Sequence, residues 1–273
     1  MTKTVPVAAT TASPIALEAA VRQMLEYFSD NPWFVKDYWP ENKTRVTKLL
    51  RDLEHWVAAP ACVFEPGCGN GYISFLASRL GYKVIASDSW EPQDRVELFR
   101  RANIDCFQSN LNDLDPWPNL RNSSVDAVIF GEVFEHLLNH PVGLLKQIHR
   151  VLRPGGALLL TTPNPSTLVN AIRVLLDRHS MWGTDDFACD AKFVDGVIID
   201  KGEIHYREYR SSELRKFLIL AGFQVHTCGY VSMGLPSKAP PLKSLAKRLV
   251  EIAGLEESRL FSTSNYAVAI KNS

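Results

Sequence analysis

The chain has 273 residues and a mass of 30.6 kDa, enough for one large domain or for one domain with a cap. Apolar residues make up 46% and charged residues 22%, globular values that exclude a disordered or collagen-like protein. The 30 basic and 30 acidic residues cancel, so no net field would draw the protein to nucleic acid or to an anionic membrane. No apolar run approaches the roughly 18 residues that a membrane span needs, which predicts a soluble protein.

The cysteines indicate a reducing compartment. There are five of them, an odd number, and they form neither a Cys-x-x-Cys pair nor a zinc-ribbon spacing: Cys62, Cys68, Cys106, Cys189 and Cys228. Because this usage does not suggest a disulfide framework, we expect a cytoplasmic protein.

The N-terminal part predicts a frayed start, a helix and an aromatic segment. The first fourteen residues are small and rich in Thr and Ala, and a helix is predicted from Pro14 to Phe28. We expect residues 1–44 to form a helical and aromatic segment in front of a main domain at 45–273. Its aromatic side chains could either close over a bound cation as a lid, with Tyr38 and Trp39 best placed, or pack into the core. They are Tyr27, Phe28, Trp33, Phe34, Tyr38 and Trp39.

From Ala61 onwards, apolar strand patterns alternate with helical periods, which predicts a doubly wound, mostly parallel α/β sheet. The predicted strands are Cys62–Glu65, Lys83–Asp88, Cys106–Asn110, Asp126–Gly131, Ala157–Thr162, Gln224–Tyr230 and Tyr266–Lys271. The predicted helices are Tyr72–Leu80, Val96–Ala102, Val142–Leu152 and Ser211–Ala221. The last two strands lack a parallel crossover helix, so we expect an antiparallel pair at the edge of the seven-stranded sheet. Helical insertions on the substrate side are predicted at about 165–210 and 232–264, the second with a helix at Leu242–Ala253.

The segment from Val63 to Gly71 ends a predicted strand in a carboxylate, Glu65, and continues into a glycine-rich turn. Glycines let the backbone approach a ligand closely because no Cβ intervenes. A dinucleotide site needs Gly-x-Gly-x-x-Gly, but the third glycine position of that frame holds Tyr72, which disfavours a pyrophosphate. The carboxylate would repel a phosphate and accept hydrogen bonds from an ammonium group. The pattern therefore indicates a cationic, non-phosphorylated ligand, and the alternative is a plain tight turn.

Polar residues also end the next two predicted strands. Asp88 lies where an acidic side chain can receive both hydroxyls of a ribose, although a helix N-cap or a solvated loop carboxylate is the alternative. Asn110 offers a side-chain amide to the edge of an adenine, and Leu111 offers an apolar surface to its face. These residues predict a nucleoside at the same edge of the sheet.

Three further segments complete an ordered set of motifs: Val125–His136, Val151–Gly156 and Thr162–Asn164. Together with the glycine turn, Asp88 and Asn110-Leu111, they resemble the motifs of class I S-adenosylmethionine-dependent methyltransferases over roughly residues 45–230. The resemblance implies a Rossmann-like fold, S-adenosylmethionine as the methyl donor, and a methyltransferase domain at 45–273.

The resemblance also implies which residues bind the donor. The methionine part would contact Glu65, Gly67, Cys68 and Gly69, the ribose Asp88, and the adenine Asn110 and Leu111. Cys68 would contribute only its backbone, because no base near it in sequence could activate the thiol. The family commonly has Asp where this chain has Asn110, and Asn keeps an acceptor while adding a donor.

A possible catalytic group follows the fourth predicted strand. Glu132, Glu135 and His136 have i, i+3, i+4 spacing, which predicts two carboxylates and an imidazole on one face of a helical turn. Because the sulfonium of the donor is already reactive, the protein need only align an acceptor with the methyl group and remove its proton. His136 is the predicted base, with Glu132 and His205 as further catalytic candidates; the alternative for His136 is a packed or capping residue.

The later sequence His-x-x-Glu-Tyr, which begins at His205, extends the resemblance to two groups of relatives. One group comprises O-methyltransferases that act on sugars and small molecules. The other methylates the 3′-terminal ribose of small RNAs, where two Glu and two His bind a divalent ion that activates a hydroxyl. If this chain binds a metal in the same way, the resemblance implies that the ligands of Mg²⁺ or Mn²⁺ are Glu132, Glu135, His136 and His205. A nucleic-acid acceptor is disfavoured, because the basic residues form no stripe interleaved with aromatics.

Three functions of different classes remain open from the sequence. A methyltransferase acting on a hydroxyl of a sugar, glycoconjugate or small natural product agrees with all the motifs. A nicotinamide oxidoreductase is opposed by Tyr72, and a catalytically silent donor-binding module is opposed by the intact Glu65, Asp88 and His136. The sequence identifies neither the acceptor nor the oligomeric state.

Overall fold

The computed structural model describes residues 16–89, 96–138, 141–178, 205–234 and 257–272, and short stretches at 192–194, 197–199, 248–250 and 252–255. The strands are β1 Cys62–Pro66, β2 Lys83–Asp88, β3 Asp105–Gln108, β4 Val125–Gly131, β5 Leu152–Pro163, β6 Lys192–Val194, β7 Val197–Ile199, β8 Phe223–Val231 and β9 Ser264–Lys271. The helices are α1 Leu17–Tyr27, α2 Trp39–Trp56, α3 Tyr72–Arg79, α4 Val96–Ala102, α5 Pro141–Val151, α6 Leu168–Leu175 and α7 Ser211–Leu220. None of these helices combines the length and the apolar character that crossing a bilayer would require, as far as the described residues extend.

Seven of the strands form one sheet, in the order β3-β2-β1-β4-β5-β9-β8, while β6 and β7 pair separately. β1 to β5 run parallel, and β9 lies antiparallel between β5 and β8. This order confirms the predicted doubly wound sheet with an antiparallel pair at its edge. Because the strand order reverses between β1 and β4, the connections after these two strands diverge and leave a crevice at their carboxyl ends.

Both faces of the sheet are buried by helices. Val63 and Ile129 pack in one apolar cluster with residues of α1, α2 and α3, whereas Phe64 and Val128, their neighbours in the chain, pack with α5 and α7. Successive strand residues point to opposite faces, so a strand covered on both faces must be apolar throughout. The predicted strands were recognisable for this reason.

The sequence did not predict α2, which begins inside the aromatic segment and runs from Trp39 to Trp56. Pro40 is tolerated there because the first turn of a helix needs no N–H from that residue. The expected boundary between residues 44 and 45 lies inside this helix, so the secondary structure is continuous across it. Trp39 is buried in the same apolar cluster as Val63, which corresponds to the core-packing alternative for this residue.

Several predicted ends also differ from the structure. β3 ends at Gln108, so Asn110 follows the strand in a turn. The segment after β4 is a single 3-10 turn, Phe134–His136, and not a longer helical turn, because Glu132 has φ +56° in the left-handed region. Residues 1–15 and most of the helix expected at Leu242–Ala253 lie outside the described residues.

Candidate functional site

The glycine turn joins β1 to α3 at the crevice. Gly67, Gly69 and Gly71 have φ values of +69°, +51° and +74°, a region that favours glycine. A Cβ on Gly67 would lie 2.7 Å from Val133, and one on Gly71 would lie 2.6 Å from Phe99. A Cβ on Gly69 would meet no atom within 4 Å. Gly67 and Gly71 are therefore required by packing, whereas Gly69 leaves its backbone open to a ligand.

Asp88 lies beside this open glycine, at the end of β2. Its Oδ2 accepts a hydrogen bond from the Gly69 N–H at 2.7 Å, and its Oδ1 accepts one from the Ser89 N–H at 2.8 Å. The residue is 8% exposed. Its Oδ1 also accepts a long hydrogen bond from the Ser89 hydroxyl at 3.4 Å. Since a carboxylate has about four acceptor positions, Asp88 holds the turn and still has one free for a ligand hydroxyl, and a second if the ligand displaces the Ser89 hydroxyl.

Glu65, at the end of β1, is buried beside α3. Its Oε2 accepts a hydrogen bond from the Ser74 hydroxyl. Burial raises the pKa of Glu65 to about 8, and the hydrogen bonds from Ser74 only partly oppose this effect. The carboxyl group is therefore mostly protonated at neutral pH, and a cation bound next to it would favour the carboxylate.

Cys68 lies inside the glycine turn with a buried thiol. A hydrogen bond with the Cys106 thiol, together with burial, raises the pKa of Cys68 well above its ordinary value. A buried thiol that stays protonated is a poor nucleophile. This supports the expectation that Cys68 contributes only backbone groups.

The two residues predicted to contact adenine follow β3. The Asn110 side chain is exposed, and its Oδ1 accepts a hydrogen bond from the Asn112 N–H at 3.0 Å. Leu111 is partly buried against the cluster that contains Phe64. The N–H of Ser109 donates to the backbone oxygen of Asp88 at 2.7 Å, so this turn lies next to the predicted ribose contact.

Arg45 is a site residue that the sequence analysis missed. It is 1% exposed, and α2 places its guanidinium against the carboxyl ends of β4 and β5. Nη1 donates to the Thr161 hydroxyl at 3.2 Å, and Nη2 donates to Asn42 Oδ1 at 2.7 Å and to the Tyr72 hydroxyl at 3.3 Å. Burial disfavours the charge, but nearby Tyr72 and Glu132 raise the pKa of Arg45 above its ordinary value. The guanidinium is therefore charged in a buried position.

Glu132 faces this guanidinium and not the histidines. Its Oε1 lies 3.9 Å from Arg45 Nε, and both atoms are buried without a hydrogen-bond partner in the described structure. A buried donor and a buried acceptor that face each other unpaired are costly, unless a polar ligand takes part. Arg45 and Glu132 together could bind both ends of a zwitterion, the guanidinium its carboxylate and the carboxylate its ammonium group.

The other predicted polar residues meet beyond the 3-10 turn. Glu135 is 1% exposed, and its Oε1 lies 3.7 Å from His136 Nε2 and 3.9 Å from His205 Nε2. The two imidazole rings are 4.9 Å apart and nearly perpendicular. The Thr162 hydroxyl donates to Glu135 Oε2 at 2.9 Å. Burial, followed by the charge of Glu132, raises the pKa of Glu135 well above its ordinary range.

The side chains of this cluster could either bind a metal ion or act as a general base. Glu135, His136 and His205 each offer one ligand atom, and these atoms lie within 4.8 Å of one another. The cluster lies close to the glycine turn, since Val133, which directly precedes the 3-10 turn, leaves no room for a Cβ on Gly67. Three of the four residues predicted as metal ligands are thus brought together, and Glu132 is directed elsewhere.

Comparisons with known proteins agree with this geometry. The sequence profile of the family described as "Methyltransferase domain" matches residues 64–160. A protein of Mycobacterium tuberculosis named "Probable S-adenosylmethionine-dependent methyltransferase" is 29% identical over 229 residues, which cover 82% of this chain and 68% of that protein. A "Ubiquinone biosynthesis O-methyltransferase" of Xanthomonas campestris pv. campestris is 28% identical over 177 residues, or 62% of this chain and 65% of that protein.

Solved structures show the same fold at low sequence identity. A "SAM dependent methyltransferase" from Archaeoglobus fulgidus is similar with a TM-score of 0.54 at 18% identity, over 85% of this chain and 97% of that one. A 1,6-didemethyltoxoflavin-N1-methyltransferase from Burkholderia thailandensis gives a TM-score of 0.53 at 18% identity, over 98% and 94% of the two chains.

Proposed function

Because the chain belongs to the class I S-adenosylmethionine-dependent methyltransferases, we propose that it methylates a hydroxyl of a sugar, a glycoconjugate or a small natural product. The observation that carries this proposal is the pair of partly buried imidazoles, His136 and His205, close to the glycine turn. A hydroxyl is a weak nucleophile until its proton is removed, and imidazole is the common base for that step. The Xanthomonas relative, named as an O-methyltransferase, supports the same acceptor chemistry.

The donor would lie along the carboxyl edge of the sheet. S-adenosylmethionine supplies an electrophilic methyl group on a sulfonium, and its sulfur departs as a neutral thioether. Asp88 accepts hydrogen bonds from the ribose, and the turn at Asn110 and Leu111 lies next to the adenine. Gly69 gives the methionine part access to the backbone, and its carboxylate and ammonium groups meet Arg45, Glu132 and Glu65. These assignments extend the predicted set of contacts by Arg45 and Glu132.

The acceptor hydroxyl would enter from the histidine side. In this hypothesis His136 takes the hydroxyl proton at a ring nitrogen while the oxygen attacks the methyl group in line with the sulfur. The carbon–sulfur bond breaks and its electron pair stays on sulfur, which balances the charge of the sulfonium. The positive charge that forms on His136 favours the ionised form of Glu135, whose carboxylate then stabilises the imidazolium, and the proton on His136 passes to water. The products are a methyl ether and S-adenosylhomocysteine.

A metal-assisted version uses the same cluster. Its residues fit a divalent cation, with one oxygen from Glu135 and one nitrogen each from His136 and His205. Imidazole ligands suit Mn²⁺ better than Mg²⁺, which prefers an all-oxygen shell. Such an ion would lower the pKa of a bound hydroxyl, so the imidazoles would act as ligands and not as bases. An RNA acceptor is not proposed, since the chain carries no net positive charge.

Two experiments test the proposal. Calorimetric titration should show binding of S-adenosylhomocysteine and none of NAD, and the reverse result would contradict the donor assignment. Release of S-adenosylhomocysteine should then be followed with panels of phenols, catechols and sugars as acceptors. Donor binding with no transfer to any hydroxyl would favour the silent binding module.

The variants His136→Ala and His205→Ala distinguish the two versions. For a lone base, His136→Ala should lower turnover by roughly 10²–10⁴, and EDTA should have no effect. For a metal site, EDTA should abolish turnover, Mn²⁺ should restore it, and both variants should be similarly damaging. His149→Ala is the control, because this histidine packs on Phe223 away from the cluster. Full activity of the double variant His136→Ala, His205→Ala would contradict both versions.

A further inference from the structure

The segment that carries His205 holds a second acidic group, Glu208, which neither version of the proposed chemistry uses. Glu208 Oε1 lies 3.0 Å from His205 Nδ1, and its side chain is 8% exposed. We propose that Glu208 is a positioning residue that holds His205 in the tautomer protonated at Nδ1, so that Nε2 keeps a lone pair directed toward Glu135. This inference rests on the proposed methyltransferase function and concerns the same cluster.

The loop from His205 to Arg210 is fixed on both sides, so the His205–Glu208 pair is held in place. The N–H groups of Tyr206 and Arg207 donate to the backbone oxygen of Glu135 at 2.9 and 3.3 Å. The backbone oxygen of Tyr209 accepts a hydrogen bond from the Asn265 side chain at 2.7 Å. The Tyr209 ring also packs 5.0 Å from Phe134, on the 3-10 turn. These contacts attach the loop to the turn that carries Glu135 and to β9.

The chemistry of imidazole determines which atom donates the hydrogen bond between His205 and Glu208. A neutral imidazole has one N–H and one lone pair, and a carboxylate can only accept, so the nitrogen facing Glu208 must be the N–H. The other nitrogen, Nε2, then carries the lone pair, 3.9 Å from Glu135 Oε1. A base and a metal ligand both need that lone pair. The same carboxylate–histidine arrangement orients ligands and bases in many enzymes.

The tautomer of His205 can be read directly by nitrogen NMR. Full-length protein labelled with ¹⁵N-histidine, without added ligand and at pH about 8.5 where free imidazole is neutral, gives long-range ¹H–¹⁵N correlations for each ring. The His205→Gln variant identifies the signals. We expect the Nδ1–H tautomer in about tenfold excess or more, an excess that Glu208→Ala abolishes and Glu208→Asp retains.

Glu213→Gln is the matched control. Its carboxylate binds the side chains of Arg207 and Arg210 from α7, so it supports the same loop without touching His205. The control should leave the tautomer unchanged. If Glu208→Ala does not fold, the isosteric Glu208→Gln replaces it, and we expect a reduced excess because an amide can also donate to Nδ1.

An unchanged tautomer in Glu208→Ala, or in Glu208→Gln where that variant replaces it, would overturn the inference. An Nε2–H tautomer or a doubly protonated ring in the wild type would overturn it as well.

A second experiment compares the effect of the variant on turnover with its effect on donor binding. Glu208→Ala should lower turnover about 10–100-fold while the affinity for S-adenosylhomocysteine stays unchanged. A loss of that affinity would indicate a merely structural role. Because the NMR measurement needs no donor, failure to bind S-adenosylhomocysteine would contradict the proposed function alone.

Discussion

Four charged or titratable side chains at the carboxyl edge of the sheet are almost fully buried, and each has different partners. Glu65 accepts a hydrogen bond from the Ser74 hydroxyl, and Glu135 accepts one from the Thr162 hydroxyl. Asp88 accepts hydrogen bonds from two backbone N–H groups. Arg45 donates from both Nη atoms, but its Nε has no hydrogen-bond partner in the described structure. Burying an ionised group costs several kcal/mol unless charges and hydrogen bonds compensate it. Such incompletely compensated groups are typical of binding and catalytic sites. Here they mark where a ligand with both a positive and a negative charge would complete the pairing.

The role of Asp88 is tested by Asp88→Ala. We expect binding of S-adenosylhomocysteine to weaken by roughly 1–3 kcal/mol, because the ribose hydroxyls lose a charged acceptor. Isothermal titration calorimetry measures the effect, with Asp113→Ala in the exposed turn after β3 as the control. An unchanged dissociation constant would assign Asp88 to the loop-carboxylate alternative, in which it only holds the Gly69 N–H.

Arg45 is tested by a variant that keeps its charge. Arg45→Lys should weaken binding of S-adenosylhomocysteine about tenfold or more, because an ammonium cannot donate two parallel hydrogen bonds to a carboxylate. Binding of 5′-methylthioadenosine should not change, since this nucleoside lacks the amino acid part. Arg51→Lys, on an exposed position of α2, is the control. An equal loss for both ligands would mean that Arg45 acts by supporting the fold.

The sequence around Arg45 has a pattern that indicates its functional role. Buried positions recur along α2 with helical spacing, and Arg45 lies on that buried face beside Val46 and Leu49. A charged residue within an apolar stripe is either paired or functional. Recognising it required the helix, and the prolines and aromatics around Trp39 obscured the start of the helix. Glu132 differed for another reason, because a left-handed residue cannot be inferred from i, i+3, i+4 spacing.

At the scale of elements, the glycine turn permits a matched comparison of three positions. Gly69→Ala should cost about 1–2 kcal/mol of stability for its positive φ, yet the protein should fold, since the new Cβ meets no protein atom. Binding of S-adenosylhomocysteine should fall about tenfold or more, because the methyl group occupies the side open to the ligand. Gly67→Ala and Gly71→Ala should destabilise further through Val133 and Phe99.

Gly155→Ala is the control for this series. Gly155 also has a positive φ, +78°, and a Cβ there would meet no atom within 4 Å, but it lies at the start of β5. We expect a stability loss similar to that of Gly69→Ala without a loss of binding, measured by thermal unfolding and calorimetry. Equal binding by Gly69→Ala and the wild type would show that the ligand does not approach this glycine.

Elements with strong local signals were predicted almost to the residue. α4 matches at both ends, and β2 does too, because each lies between clear turn signals. β5 begins five residues earlier than predicted, at Leu152, because Leu152 pairs with Val125 of β4. Regular pairing with β4 resumes only at Ala157, the predicted start, after an irregularity in the register. The approach of His205 to His136 was suggested only by resemblance, because it depends on where a long insertion returns to the sheet.

At the scale of the whole molecule, the sheet brings distant residues into one site. Each strand from β1 to β5 ends at the same edge, so Glu65, Asp88, Asn110, Glu132 and Thr161 converge although they span nearly 100 residues. α2 contributes Arg45 from one side, and the loop before α7 contributes His205 from the other. The alternation of strands and helices predicted the shared edge. It did not predict these two flanking contributions, because neither belongs to the alternating pattern.

The buried carboxyl groups of the site should also make global stability depend on pH. Burial raises the pKa of Glu65 from its ordinary 4.5 to about 8, so between these values the folded protein binds a proton that the unfolded chain releases. The resulting stabilisation is complete below about pH 4.5 and is lost as the pH rises through about 8. One such proton changes the free energy of unfolding by about 1.4 kcal/mol per pH unit at most. Glu135, whose pKa is also raised by burial, adds a slope of the same sign.

Urea unfolding of the ligand-free protein at pH 5.5, 6.5 and 7.5 tests this prediction. The wild type should lose stability across the series, and Glu65→Gln should reduce the slope by about 1.4 kcal/mol per pH unit, because the amide cannot ionise in either state. Glu26→Gln, at an exposed position of α1, should leave the slope unchanged. Saturating S-adenosylhomocysteine should flatten the wild-type profile if its ammonium group lies beside Glu65, since a nearby cation lowers the pKa of that carboxyl group. An identical slope in Glu65→Gln and the wild type would show that Glu65 is already ionised in the folded protein at neutral pH.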